Sequence, residues 1–215
     1  MMKRLPIGIE NFKEMIDEDY YYVDKTDLIK DIWKEKIVIY HRPNQFGKTL
    51  NMSMLYYFFS IKQKENAYVF QKMNIMKEPD VEKHQNQYPV IFLTLKGMRN
   101  DTFEKQLDMY HKQIIRLIEN LPELWNSEML SVTALKTLRE YHEGTSQEVD
   151  LQVALQFICE CLYQHYQKKV IILIDEYDVP LQDAYFHGYY DQMVNFLRNV
   201  FSEALKSNDA LEKGY

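Results

Sequence analysis

Arg42-Pro43-Asn44-Gln45-Phe46-Gly47-Lys48-Thr49 stands between the apolar run Ile37-Val38-Ile39-Tyr40 and a stretch where Leu50, Met54, Leu55, Phe58 and Phe59 recur at helical spacing. The pattern predicts a strand, a loop ending in Gly-Lys-Thr, and a helix. Such a loop can hold a phosphate. The helix N-terminus offers backbone N–H groups, Lys48 a cation, and the Thr49 hydroxyl a ligand for magnesium. The usual phosphate loop has a glycine five places before its second glycine, and Arg42 occupies that place. Gly-Lys-Thr alone is a weak signal, and a turn that merely caps a helix is the plain alternative. Its placement between strand and helix strengthens the phosphate reading.

Outward from this stretch, the N-terminal side begins with an extended piece, Leu5-Pro6-Ile7-Gly8-Ile9, and a short helical face of Phe12, Met15 and Ile16. Tyr20 to Val23 reads as extended, and Asp24-Lys25-Thr26 as the cap of a helix carrying Leu28, Ile29, Ile32 and Trp33. On the C-terminal side, Lys62 to Gln87 is polar and reads as short helices and loop. Pro89 to Leu95 is a continuous apolar run, as in a strand covered on both faces. Asp101 and Glu104 have capping-box spacing ahead of a helix with Phe103, Leu107, Tyr110, Ile114 and Leu117 on one face. Residues 127 to 143 read as helix, Gly144-Thr145-Ser146 as a break, and Leu151 to Tyr166 as a further amphipathic helix.

Lys169-Val170-Ile171-Ile172-Leu173-Ile174-Asp175-Glu176 is the strongest strand pattern in the chain, branched, apolar and ending in two carboxylates. An acid at the C-terminal end of a strand can hold Mg²⁺ beside a polyphosphate, which suits Asp175. Glu176 is then placed to orient an attacking water or take its proton. Two solvated acids at a strand end are common, but here both motifs fall at the C-terminal ends of strands, where α/β sheets bind ligands. After Pro180 the residues Met193, Phe196, Leu197, Val200 and Leu205 form a last helical face, and no strand is read beyond residue 181.

Composition excludes several classes. The 215 residues are 46% hydrophobic and 27% charged, enough for a real core, and the net charge of −6 argues against a whole-surface nucleic-acid binder. No apolar span of membrane length and no signal-peptide pattern is present, so a cytoplasmic location is expected. Cys159 and Cys161 lie two apart, a spacing that on a helix neither pairs them nor lets them share an ion. The histidines have no zinc-motif company.

Four blocks together carry a resemblance: Leu5-Pro6-Ile7-Gly8-Ile9-x-x-Phe12, Tyr21-Tyr22-Val23-Asp24-Lys25-Thr26, Arg42-Pro43-x-x-Phe46-Gly47-Lys48-Thr49-Leu50-Asn51-Met52-Ser53-Met54-Leu55, and Leu173-Ile174-Asp175-Glu176-Tyr177-Asp178-x-Pro180-Leu181. In this order they resemble the bacterial AAA-ATPase-like proteins, over nearly the whole chain. The resemblance implies ATP and Mg²⁺ as cofactors. It places Arg42, Asn44, Gln45, Phe46, Gly47, Lys48, Thr49 and Leu50 in the Walker A loop, Thr49 and Asp175 on the metal, and Glu176 as the catalytic base. Arg42 in the first-glycine place is normal for that family. A departure is Asn44 and Gln45, where the family usually carries two arginines. Longer members continue into a restriction-endonuclease-like nuclease domain, the one hint of nucleic acid. Similar ATPases also place a strand with a polar sensor residue between the two motif strands; with no such strand read here, the two are expected to pair directly or to have the Tyr20–Val23 stretch between them.

The expected fold is therefore α/β, a three-layer P-loop NTPase-like parallel sheet flanked by helices but lacking its C-terminal strand or strands. Residues 1–35 form an N-terminal segment packed on a core spanning 36–215. The expected function is a nucleotide-binding, Mg-dependent ATPase, with a homo-oligomer or a partner protein as further expectations and no membrane. The alternatives are a non-hydrolysing nucleotide-binding or interaction module, favoured by Asn44 and Gln45 in place of arginines and by the missing sensor strand, and a P-loop kinase. ATP is preferred to GTP because no Asn-Lys-x-Asp block is present.

Overall fold

The computed structural model describes residues 3–39 and 47–215. The chain divides into two units, Met1–Val90 with Lys213–Tyr215, and Ile91–Glu212.

In the first unit, helix α1 (Phe12–Asp17) is capped by Asn11, whose side chain accepts from the Glu14 N–H at 3.1 Å. Its Phe12 is fully buried, stacks on Phe70, meets Tyr22 edge-on, and donates its N–H to Ser53 Oγ at 3.0 Å. Helix α2 (Asp27–Trp33) follows, but not by the expected cap. The Thr26 side chain makes no cap bond. Asp24 instead accepts from the Thr26 N–H and hydroxyl with one oxygen and from the Asn74 N–H with the other, while Thr26 Oγ1 accepts from Ile75. The Asp-Lys-Thr block is thus a clasp on a distant turn. Helix α3 (Lys48–Phe59) is the unit's centre, with Met54, Phe58 and Phe59 completely buried. Burying each phenylalanine contributes about 1.5–3 kcal/mol. Beyond it come 3₁₀ turns at Ile61–Phe70 and Asn74–Lys77 and the short helix α4 (Pro79–Glu82), as the polar stretch predicted.

The run Ile37 to Tyr40, expected as a core strand, makes one parallel bridge, Ile37 to Gly214, and Ile39 is 76% exposed. Tyr40 lies outside the described residues. A short apolar run reads the same whether it becomes a buried strand or a bridged edge, because burial depends on what pairs beside it.

A three-stranded sheet, most of whose residues belong to the second unit, is ordered β1 (Val90–Thr94), β2 (Val170–Asp175), β3 (Leu211–Gly214). The Leu95 N–H bonds Asp175 O at the far ends of β1 and β2, and the Val170 N–H bonds Ala210 O at the starts of β2 and β3. All three strands therefore run the same way. Central β2 is buried at every residue. β1 alternates, with Ile91 and Leu93 buried and Phe92 partly exposed, rather than being buried throughout as expected. Among the described residues it lies at the edge of the sheet, with β2 as its one neighbouring strand.

Around the sheet stand α5 (Phe103–Glu119), α6 (Val132–Glu143), α7 (Glu148–Tyr166), α8 (Val179–His187) and α9 (Tyr190–Phe201). The cap of α5 is Thr102, whose hydroxyl accepts from the Lys105 N–H at 3.3 Å. Asp101 instead pairs with the Lys105 ammonium at 2.7 Å. Gly144, at φ 76°, ends α6 in the left-handed conformation that glycine adopts without strain.

The expectation that the chain ends in helix is overturned. After α9 and a π-turn at Ser202–Lys206 the chain straightens into β3, whose Leu211 is fully buried. Leu211-Glu212-Lys213-Gly214 has one aliphatic residue, so its strand character comes from backbone pairing rather than from an apolar pattern. The neighbours of β2 are β1 and β3, and neither is the Ile37 run nor Tyr20–Val23.

Candidate functional site

Gly47 is the N-cap of α3 at φ 72°, ψ 28°, and the Asn51 N–H closes the first helical bond onto its carbonyl at 2.9 Å. Only glycine holds this left-handed geometry cheaply. The first turn of α3 carries no acidic residue, and its N-cap, a glycine, has no side chain of its own to cap it. Lys48, Thr49 and Leu50 follow as the first helical residues, each partly exposed. A helix start leaves its first N–H groups without intrahelical acceptors and carries the positive end of the helix dipole. With Lys48 added, this mouth suits an anion. Asn51, one residue on, is 4% exposed, and its Nδ2 has no hydrogen-bond partner among the described residues. Arg42, Asn44, Gln45 and Phe46 lie outside the described residues.

The acidic motif lies in the second unit. Asp175 is the last residue of β2 and 3% exposed. Its backbone is fixed by the bond from Leu95 N–H at 2.9 Å. Glu176 follows at φ 56°, a left-handed conformation that costs a non-glycine residue on the order of 1 kcal/mol. Its carbonyl accepts from the Val179 N–H at 3.1 Å, closing the turn into α8. The chain therefore leaves the buried strand abruptly, with Asp175 inside and Glu176 partly exposed. A buried carboxylate beside a partly exposed one divides the labour of holding a cation and handling a water.

The loop after β1 is braced beside this strand end. Buried Gln106 donates to Met98 O at 2.8 Å and accepts from Asn100 Nδ2 at 2.7 Å. The Asn100 N–H bonds Asp183 Oδ2 at 2.6 Å, and Tyr189 hydroxyl bonds Asn100 O at 2.6 Å. The side chains of Gln106, Asn100, Asp183 and Tyr189 carried no signal that sequence reasoning could separate from ordinary surface polarity.

Asp178 accepts from Gln182 Nε2 at 2.8 Å within α8, and Pro180 sits in the first turn of that helix. Arg198 is exposed and donates to Asn195 at 3.4 Å on its own helix. Cys159 and Cys161 are buried thiols, each pushed up to about 12, by burial first. Among the described residues no group of His, Cys, Asp and Glu forms a metal cluster, and no helix is long and apolar enough to cross a membrane.

A family model described as "Predicted AAA-ATPase" matches residues 6–214. The chain belongs to this predicted AAA-ATPase family. The match takes in Gly47–Leu50, Asp175, Glu176 and the final strand. A curated relative from Azotobacter chroococcum mcd 1, named "Uncharacterized protein in vnfD 5'region", is 24% identical over 212 residues, 97% of this chain and 35% of that protein. The chain thus spans about a third of that relative's length. No solved structure matches.

Proposed function

We propose that this member of the family binds ATP as its magnesium complex on a three-layer P-loop sheet and hydrolyses it. The observation that carries the reading is the mouth of α3, a helix start with no acid in its first turn, opened by a left-handed glycine and followed by lysine and threonine. Lys48 and the first-turn N–H groups would take the phosphates. Thr49 and Asp175 would hold Mg²⁺, which neutralises charge on the phosphates when bound. Magnesium is usually held by one or two protein oxygens together with phosphates and waters, and a threonine hydroxyl and an aspartate are oxygens of that kind. Glu176 would orient the attacking water and accept its proton. Family membership supports nucleotide use.

The second reading is binding without turnover. Asn44 and Gln45 favour it, because two cations beside the phosphates are replaced by amides. β3, a strand beyond residue 181, weighs against it. Two measurements on one preparation separate the readings: Mg·ATP binding by calorimetry and phosphate release at steady state. Binding with release is expected. Binding without release would favour the second reading, and neither would overturn both.

A further inference from the structure

The last three residues make a clamp in the first unit. The Lys213 ammonium donates to Trp33 O at 2.7 Å and to Glu35 O at 2.8 Å, and lies 4.8 Å from the centroid of the Trp33 ring. Those carbonyls sit at the C-terminal end of α2, where the helix leaves acceptors and a negative dipole end for a cation. Gly214 donates its N–H to Lys36 O and accepts from the Val38 N–H, both at 2.9 Å. Tyr215 bonds Ile32 O at 3.3 Å through its hydroxyl, and its ring stacks on Phe59 at 6.5 Å and 13°. Trp33 itself stacks on Phe59 at 5.2 Å.

These contacts have one thing in common. Lys36 to Val38 is the stretch that runs into the phosphate loop, and Phe59 is the last residue of the helix that leaves it. A phosphate site works only when the incoming strand and the outgoing helix hold a fixed relation, because a displacement on the order of 1 Å costs up to 10²-fold. We propose that Lys213 and Tyr215 are positioning residues for the nucleotide site, holding the two flanks of the phosphate loop from behind while touching no phosphate themselves. This rests on the nucleotide-binding reading. Lysine suits the role because its ammonium can serve two carbonyls and a ring face at once. Arginine can do the same with a planar fork.

The test uses the 215-residue chain with Lys213→Met, Lys213→Arg and Tyr215→Phe. Calorimetry reads Mg·ATP affinity well below each variant's melting temperature, and hydrogen exchange reads the Val38 amide without nucleotide. Lys213→Met is expected to weaken Mg·ATP about tenfold and to speed Val38 exchange by a similar factor. Lys213→Arg is expected to stay within about threefold of the parent in both, and Tyr215→Phe, which loses one bond and keeps the ring, to fall between. A lowered melting temperature with unchanged affinity and exchange would mean a merely structural role and overturn the proposal. If Lys213→Met does not fold, an affinity equal to the parent's in Tyr215→Phe overturns it. A parent that binds no Mg·ATP overturns the nucleotide reading and the positioning role with it, whereas a binding parent with unaltered variants overturns the positioning role alone.

Discussion

Ile172 and Ile39 are both isoleucines inside short apolar runs, yet Ile172 has no exposed surface and Ile39 is 76% exposed. The first belongs to β2, which has a strand on either side and helices around it. The second follows a single bridge made by the end of β3. The difference teaches where rigidity comes from in each half of the proposed site. Asp175 stands on a strand fixed by two neighbours and a full core. The proposed phosphate loop is entered from a run that, among the described residues, is registered by backbone bonds to Gly214 and by the residues that brace them.

That contrast is open to attack by substitution. Ile172→Ala should destabilise the second unit most, by about 2–5 kcal/mol, since the site is closed on all sides and cannot collapse over the lost atoms. Denaturant unfolding followed through Trp125 reads it, and a loss near zero would mean that β2 is not the centre of a packed core. Next comes Glu176→Gln, which keeps shape and hydrogen bonding but cannot accept a proton. Turnover should fall about 10²-fold or more with Mg·ATP binding retained. Equal phosphate release in variant and parent would remove Glu176 from the chemistry.

A smaller effect is expected from the buried thiols. Burial pushes Cys159 and Cys161 up to about 12 against an ordinary value of 9.0. The folded thiols hold their protons where unfolded ones lose theirs, so this contribution to stability is whole below pH 9 and is lost as pH rises towards 12. At pH 8 a disulfide reagent should leave both untouched in the native protein and label both in denaturant; rapid native labelling would contradict the burial. Smallest of all is Ile39→Ala. An exposed side chain has little to lose, and a change within about 0.5 kcal/mol is expected by thermal melting. A loss as large as that of Ile172→Ala would erase the comparison.

Much of this was legible before any coordinates. The helices at Phe12, Phe103 and Leu151 announce themselves by period, β2 by five apolar residues in a row, and the proposed anion-binding mouth by Gly47-Lys48-Thr49. What escaped did so for physical reasons. β3 has one buried aliphatic residue and is held by its backbone, which composition does not record. The clasp of Asp24 and Thr26 on Asn74 and Ile75 joins residues far apart in sequence, so the local reading, a helix cap, came first. The left-handed turn at Glu176 carries no glycine to mark it. Lys213 and Tyr215 matter through carbonyls and ring faces supplied by α2 and α3, and nothing near them in the sequence points there.

The central claim is that the mouth of α3 binds a nucleotide's phosphates. Its most direct test is calorimetric titration of Mg·ATP into the parent chain and into Lys48→Ala, with circular dichroism confirming that both are folded. The account predicts saturable binding by the parent and none by the variant. Equal binding by the two would contradict it.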